Sequence, residues 1–368
     1  MKIIFVLGSV LGQRNAVGYR FGHIARILDR DSAVICHANR LNNLDTNVFC
    51  FPLGGVIFRI LNFARTRIGV DLRKFSSWAF AVFAYRLIVK RYDPSDTRIC
   101  ITASEHLLIN WLDKDLFQTY IDLPTIPWSL VRDKWSGISA QELRHELEFE
   151  VLLRNPNISV IPPSEFIFLQ LRDLASIQAK VLEPVLFGVE TSCSVSAKRD
   201  LNFVFLGNIC LRKGFDILIR ALDSGILRGS DLTVCGRVQS DIRVDFYRAQ
   251  AVHKFTYLGY CPADNILPRA KFLILPSRRE GCAKVIGEAI AHGVIPLTTS
   301  EAGWNLDSVL NNRLIMNCPS LESVQEVIEY VSEIEDSVLE MFAESLRLKY
   351  SRQSWSEYAV TYLGRLRA

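Results

Sequence analysis

Residues 276–303 read Pro-Ser-Arg-Arg-Glu-Gly-Cys-Ala-Lys-Val-Ile-Gly-Glu-Ala-Ile-Ala-His-Gly-Val-Ile-Pro-Leu-Thr-Thr-Ser-Glu-Ala-Gly. The apolar run Lys271–Leu275 before them suits a buried strand, and Pro276 ends it. Val285, Ile286, Ala289 and Ile290 then recur at helical spacing. His292-Gly293 stops the helix, and Val294–Thr298 reads as a second buried strand. The unit is strand, turn, helix, strand, with Glu280 at the turn and Glu288 in the helix. Gly281 lets a ligand come close to the backbone, and the N–H groups at a helix start bind phosphate. Eight residues of helix rise by about 12 Å, about the span from a sugar to a ribose across a diphosphate. One carboxylate would then accept from sugar hydroxyls and the other from ribose hydroxyls, with Lys284 adding charge near the phosphates. An ordinary βαβ unit with solvated glutamates fits the same spacing.

The chain of 368 residues predicts about two domains. Its 49% hydrophobic content fills two cores and excludes a disordered chain. The nine cysteines are scattered without a Cys-x-x-Cys pair. That usage points to reduced thiols in the cytoplasm, not to a disulfide framework or a zinc site. Residues 3–11 are read as a buried first strand, because a single lysine precedes them and no small-residue cleavage site follows. No run reaches the ~20 apolar residues that span a bilayer. The net charge of +4 is unevenly placed: residues 1–100 hold fifteen Lys/Arg against six Asp/Glu. Between Arg59 and Arg91, eight basic residues face Asp71 alone, with Phe63, Phe75, Trp78, Phe80, Phe83 and Tyr85 interleaved.

In chain order, Lys2–Leu7 reads as a first parallel strand. Gly8, Gly12 and Gly18 follow in a loop, then a helix with Val17, Phe21, Ile24 and Leu28 on one face. This opens a doubly wound domain, but the glycine spacing is neither a dinucleotide fingerprint nor a Walker loop. Further strands are expected at Ala33–His37, Val48–Phe51, Arg98–Thr102, Phe117–Asp122, Ile158–Ile161 and Val181–Val189. Helices are expected at Val56–Ile68, Phe75–Arg91, Glu105–Trp111 and Gln141–Leu153, and Ser164 suits an N-cap. Asp122 falls at a strand end, where ligand-facing residues of open α/β sheets collect. Asp113-Lys114-Asp115 follows a helix and is read as a solvated turn, not a metal site. In the second half, strands are expected at Phe203–Leu206, Leu232–Cys235 and Phe255–Gly259, with a short helix at Asp264–Ala270. Helices at about Ser320–Ser332, Ser337–Lys349 and Ser354–Leu366 close the chain.

Several of these segments resemble one family together. Glu280, seven residues, Glu288, with Gly281 and Glu-Ala-x-Ala-x-Gly, resembles the donor-site signature of retaining glycosyltransferases of family 4. Phe203–Ala221 resembles that family's strand, phosphate loop and first donor-domain helix, and Ser354-Trp355-Ser356-Glu357 its final helix. The resemblance covers residues 160–365 well and the first half more weakly. It implies a GT-B α/β architecture, two Rossmann-like doubly wound domains facing a central cleft. The implied division is an acceptor-side domain at 1–160, a nucleotide-sugar donor domain at 161–350, and a helix at 351–368 crossing back to the first.

The resemblance also implies roles. Glu280 and Lys213 carry catalysis, and the donor is held by Glu288, Gly281, Cys282, Ala283, Lys284, Gly207, Asn208, Arg212, Arg237 and Tyr260. Tyr257–Tyr260 would surround the base. The family's usual arginine after Gly207 is Asn208 here, so Arg212, Arg237, Arg278 or Lys284 must compensate, or phosphate binding is weaker. On the acceptor side, Gly12 and Gly18 line the site. Asp122 stands where a histidine is usual, with His106 as the alternative. The implied activity moves a sugar from a nucleotide-diphosphate sugar to a glycan or lipid-linked acceptor in surface polysaccharide or glycoconjugate synthesis. It needs no cofactor and no metal, because lysines and helix ends carry the charge. Rival readings are a sugar-nucleotide epimerase, a glycogen-type phosphorylase, which needs a pyridoxal cofactor and a longer chain, and a non-catalytic binding subunit. The basic, aromatic stretch suits an anionic membrane surface rather than nucleic acid, placing the protein in the cytoplasm, peripheral on the membrane.

Overall fold

Strand β1 (Lys2–Leu11) is followed by α1 (Ala16–Ile27), β2 (Ala33–Asn39), β3 (Asn47–Cys50), α2 (Arg73–Arg91), β4 (Thr97–Thr102), β5 (Gln118–Asp122), β6 (Ile158–Ile161), α3 (Glu165–Arg172) and β7 (Lys180–Val181). The structure is a computed structural model that describes residues 1–11, 16–41, 44–51, 73–102, 108–109, 111–112, 116–123, 147, 150–174, 176–189, 199–306, 312–350 and 354–367. The chain divides into two units. One comprises Met1–Pro163, Phe168–Val185 and Trp355–Ala368, the other Ser164–Ile167 and Leu186–Ser354.

In the first unit the seven strands run in the order β3-β2-β1-β4-β5-β6-β7, all parallel. Ile3–Leu7 is apolar at every position because a central parallel strand is covered on both faces, and each of these side chains is at most 1% exposed. Helix α2 turns Phe80, Ala84 and Ile88 inward at i, i+4 and i+8. The strand order reverses between β1 and β4.

Three expectations change here. Gly8 lies within β1 and Gly18 within α1, so neither is in a loop. The expected strand Val181–Val189 shrinks to Lys180–Val181, which pairs with β6 at the edge of the first sheet. Phe168–Val185 therefore packs with the first unit, beyond the boundary expected near residue 160. Local apolar pattern marks a strand but does not say which sheet recruits it. The expected helix Val56–Ile68 lies outside the described residues.

The second unit contains β8 (Leu201–Leu206), α4 (Phe215–Asp223), β9 (Leu232–Cys235), α5 (Arg243–His253), β10 (Thr256–Tyr257), α6 (Ala263–Ile266), β11 (Ala270–Leu275), α7 (Lys284–Ala291), β12 (Ile295–Thr299), β13 (Ile315–Met316), α8 (Leu321–Glu333) and α9 (Asp336–Tyr350). Its sheet runs β10-β9-β8-β11-β12-β13, again all parallel. Helix α4 buries Phe215, Ile217, Leu218, Ile219, Ala221 and Leu222. The larger of these side chains each contribute about 1.5–3 kcal/mol on burial. Phe215 meets Phe205 edge-on at 4.9 Å, which locks the helix that follows the first loop onto its sheet. Two elements had no sequence signal. Strand β13 is two residues long, and α5 exposes Val244, Tyr247 and Val252, so no single apolar face stands out.

The last helix, α10 (Trp355–Arg367), belongs to the first unit. Trp355 stacks on His23 at 5.4 Å and meets Tyr19 at 5.1 Å, while Tyr362 packs on Phe21 at 5.9 Å. Its aromatic stripe at 355, 358 and 362 is what the spacing i, i+3, i+7 places on one helix face.

Candidate functional site

Strand order in the second sheet reverses between β8 and β11, which are neighbours. Ligands of open α/β sheets bind outside the carboxyl ends of the strands at such a switch point. Two loops meet there, Gly207–Gly214 after β8 and Pro276–Ala283 after β11. Gly214 has φ +72°, and a Cβ on it would sit 1.9 Å from the Pro276 carbonyl oxygen, so the approach of the loops requires glycine. Arg278 binds the first loop to the second: its N–H donates to Arg212 O at 3.0 Å and its guanidinium donates to Leu211 O at 2.5 Å. The same guanidinium pairs with both oxygens of Asp216 at 2.6 Å.

At the centre of this frame, Glu280 Oε1 lies 2.8 Å from Arg212 Nη1 and 2.7 Å from Lys213 Nζ. Burial alone would raise the Glu280 carboxyl. The Lys213 and Arg212 charges outweigh it and bring the group down to about 2, so it is ionised at neutral pH. Glu280 in turn raises the Arg212 guanidinium. Lys213 stands in a short 3-10 turn, with its aliphatic chain over Gly207, where a Cβ would lie 3.3 Å from Lys213 Cε. Its side chain is 11% exposed against 35% for Arg212, so the guanidinium keeps an open edge. Arg212 Nη1 also donates to Arg279 O at 2.9 Å, and Glu280 N–H donates to Glu301 O at 2.8 Å. Backbone contacts thus hold both sides of the cluster.

The turn into α7 is held as firmly. Ser164 Oγ donates to Gly281 O at 2.8 Å, Trp304 Nε1 donates to Ala283 O at 2.9 Å, and Ala283 N–H donates to Ala302 O at 2.9 Å. Gly303 must be glycine, since it has φ +80° and its Cβ would meet Gly281 O at 2.1 Å. Cys282 and Ala283 are buried in this turn. The first-turn amides and positive dipole end of α7 follow directly. One turn along the helix, Lys284 forms an ion pair with Glu288.

The structure therefore gathers Gly207, Arg212, Lys213, Glu280, Gly281, Cys282 and Ala283 around the two loops, with Lys284 and Glu288 on the helix that leaves them. Asn208, Arg237 and Tyr260 are exposed residues of the same unit. The candidates for replacing the charge missing at Asn208 now separate. Arg278 is paired with Asp216, and Lys284 with Glu288. Arg212 is the one that joins Lys213. Ser164 caps α3 as its position suggested, accepting from the Ile167 N–H at 3.3 Å, but the supporting contacts of Ser164, Asp216 and Trp304 had no sequence signal, because these partners lie 117, 62 and 21 residues away.

In the first unit, Asp122 is buried rather than ligand-facing. Its oxygens accept from Arg20 at 3.1 and 2.6 Å and from the Tyr362 hydroxyl at 2.9 Å. Arg20 reaches the Tyr358 hydroxyl at 3.4 Å, and Cys100 Sγ lies 3.3 Å from the Tyr362 oxygen. Burial by itself would lower the Arg20 guanidinium; Asp122 more than offsets that and raises it. Burial pushes both tyrosines up. Asp122 is thus the anchor of α10. Gly12, His106 and Asp113–Asp115 lie outside the described residues. Among the described residues, no group of three or more His, Cys, Asp or Glu could hold a metal ion, and no helix is long and apolar enough to cross a membrane.

Residues 200–334 match the family profile described as Glycosyl transferases group 1. Glycogen synthase of Yersinia pseudotuberculosis serotype O:1b (strain IP 31758) is 22% identical over 169 residues, which are 44% of this chain and 35% of that protein. The match thus spans about a third of the curated relative's length. Among solved structures, sucrose-phosphate synthase from Thermosynechococcus elongatus superposes with a TM-score of 0.72 at 14% identity, covering 100% of this chain and 98% of the other. Anabaena HepE, in complex with UDP and glucose, gives 0.70 at 12% identity with 100% of both chains covered. These neighbours and the two parallel sheets establish a GT-B fold of two Rossmann-like units. The family match supports a glycosyltransferase.

Proposed function

We propose that the protein is a retaining glycosyltransferase of the family 4 type that moves a sugar from a nucleotide-diphosphate sugar to a glycan or lipid-linked acceptor, in the synthesis of a surface polysaccharide or glycoconjugate. The observation that carries this reading is the pair Arg212 and Lys213 meeting Glu280 at the switch point, beside the N-terminus of α7. Two cations and a helix dipole end suit a leaving diphosphate. Glu280 takes the transferred sugar's hydroxyls, and Glu288 the ribose hydroxyls. The acceptor oxygen attacks from the face the phosphate leaves, and the leaving phosphate oxygen takes the acceptor's proton. The protein's task is then to position the reactants and stabilise developing charge on the diphosphate. The second unit is the donor domain, and the first is the acceptor side.

The test is a panel of UDP-, GDP-, ADP- and dTDP-sugars, followed by mass spectrometry for donor hydrolysis and by thermal protection for binding. UDP-sugars lead the panel because a structural neighbour holds UDP and glucose. Hydrolysis of at least one donor is expected, and it should persist in excess chelator because Arg212, Lys213 and the α7 dipole carry the charge. Activity lost in chelator and restored by manganese or magnesium would overturn the metal-free mechanism. The uncharged, exposed Asn208 favours a second reading, a donor-binding subunit without turnover. Thermal protection with no hydrolysis across the panel would select it.

The same reading places the protein in the cytoplasm, peripheral on an anionic membrane. In its support, α2 turns Trp78, Arg86, Val89, Lys90 and Arg91 outward while its core face takes Phe80, Ala84 and Ile88. Each Lys or Arg near anionic headgroups contributes about 1 kcal/mol at most. Vesicle co-sedimentation should show binding to anionic and not neutral lipid, weakened by salt. Binding that survives neutralisation of Arg86, Lys90 and Arg91 together with Arg65, Arg67, Arg73 and Lys74 would defeat the idea.

A further inference from the structure

The two cations that a diphosphate would need are already satisfied by an anion of the protein itself. Glu280 Oε1 contacts Arg212 Nη1 at 2.8 Å and Lys213 Nζ at 2.7 Å, with its side chain 13% exposed. One carboxylate oxygen between a guanidinium and an ammonium is the arrangement a phosphate oxygen would adopt there. Two neighbouring cations, Arg278 of the second loop and Lys284 at the start of α7, have their own carboxylates, Asp216 and Glu288.

We propose that Arg212 and Lys213 form a single anion seat, that Glu280 occupies it in the unliganded protein, and that the donor's diphosphate displaces Glu280 from it. Glu280 is thus an internal competitor of the diphosphate as well as its neighbour. Charge balance at these two cations favours the exchange. Both phosphates of a nucleotide-diphosphate sugar are ionised, and they match Arg212 plus Lys213 only when Glu280 gives up its share. A carboxylate left between the cations would face the incoming phosphates at contact distance, in a partly desolvated site where like-charge repulsion is large. Displaced, the Glu280 carboxylate is free to accept from sugar hydroxyls, so its two roles follow one another. The frame permits this exchange: Arg212 is held independently by Arg279 O at 2.9 Å and is a third exposed, and Lys213 is propped on Gly207. The seat therefore survives the departure of Glu280. The proposal rests on the transferase reading for the identity of the donor, but the anion seat itself does not.

The probe is inorganic pyrophosphate, titrated by calorimetry into the full chain at fixed salt. Glu280→Gln removes the internal anion and keeps the side chain's size, so pyrophosphate should bind about tenfold tighter than to wild type or better. Arg212→Gln should weaken binding about tenfold, both alone and in the Glu280→Gln background. Circular dichroism establishes that each variant is folded. Should Glu280→Gln not fold, Glu280→Asp serves, since its shorter reach loosens the hold on the cations and should also tighten pyrophosphate binding. Unchanged or weaker binding to a folded Glu280 variant would overturn the competition, and unchanged binding to Arg212→Gln would remove Arg212 from the seat. Tighter binding in Glu280→Gln, with no turnover of any sugar nucleotide by the wild-type protein, would leave the seat standing and remove the transferase reading. Turnover in wild type with unaltered pyrophosphate affinity in Glu280→Gln would do the reverse.

Discussion

Lys213→Ala is expected to lower sugar transfer by about 2–4 kcal/mol of stabilisation, roughly 30- to 1,000-fold. Lys213 Nζ is the less exposed of the two cations on Glu280 and is held in place by the turn that carries it. Its removal leaves Arg212 as the sole contact of the Glu280 carboxylate among the ion pairs of the described residues. Both the internal ion pair and the proposed diphosphate seat lose a charge in a site that water reaches poorly. Glu288→Ala should cost a similar amount through the ribose, and it also strips Lys284 of its partner on α7. The two variants should separate kinetically. Loss of Lys213 acts where charge develops and falls mainly on kcat. Loss of Glu288 acts on ground-state binding and falls mainly on KM. Steady-state kinetics on the preferred donor provides the check, with circular dichroism as the control for folding. Near-wild-type turnover in both folded variants would remove these residues from the donor site.

Asp122→Ala is expected to destabilise the first unit by about 3–5 kcal/mol, the cost of leaving one member of a buried ion pair unpaired. Arg20 and Asp122 are each 3% exposed and joined at 2.6 Å, and the Tyr362 hydroxyl on α10 donates to the same carboxylate. The substitution strands a buried guanidinium and a buried hydroxyl at once, so α10 should loosen before the rest of the unit. Urea unfolding would show this as an earlier first-unit transition. The double variant Arg20→Met with Asp122→Leu should recover most of the loss, since replacing both charges by apolar groups of similar size is often neutral. An acceptor-binding Asp122 would behave differently: the alanine variant would unfold like wild type and lose only transfer. Wild-type unfolding of Asp122→Ala would therefore restore the ligand-facing role that the sequence suggested.

Asp122 and Glu280 differ in how much of their surroundings was legible in the sequence. Alternating short apolar runs and helical periodicities at Lys2–Leu7, Arg98–Thr102, Phe203–Leu206 and Lys271–Leu275 marked buried parallel strands. Burial on both faces forces β-rich apolar runs whatever the topology around them. The loops after β8 and β11 were legible for a similar local reason. Gly207 and Gly214 flank Lys213 within one short loop, and Gly281 follows Glu280 directly in the other, so each loop's residue types stand together in the sequence. What the sequence alone determined was therefore two parallel sheets and the residue types at the loops after β8 and β11.

Tertiary structure decided the rest, because the deciding interactions join residues far apart in the chain. The residue at a strand end reads as ligand-facing until the structure brings Arg20 from 102 positions away and Tyr362 from 240 positions away to consume the Asp122 carboxylate. The strand at 180–181 reads as part of the second domain until pairing with β6 places it in the first sheet. Four cations compete on paper for the charge missing at Asn208. Only the folded chain separates them: Arg278 pairs with Asp216, Lys284 with Glu288 and Arg212 with Glu280, while Arg237 is exposed. Periodicity reports whether a side chain faces a core. The partner that a buried or half-buried charge finds there is set by the crossing of strands and loops, and only the folded chain brings those together.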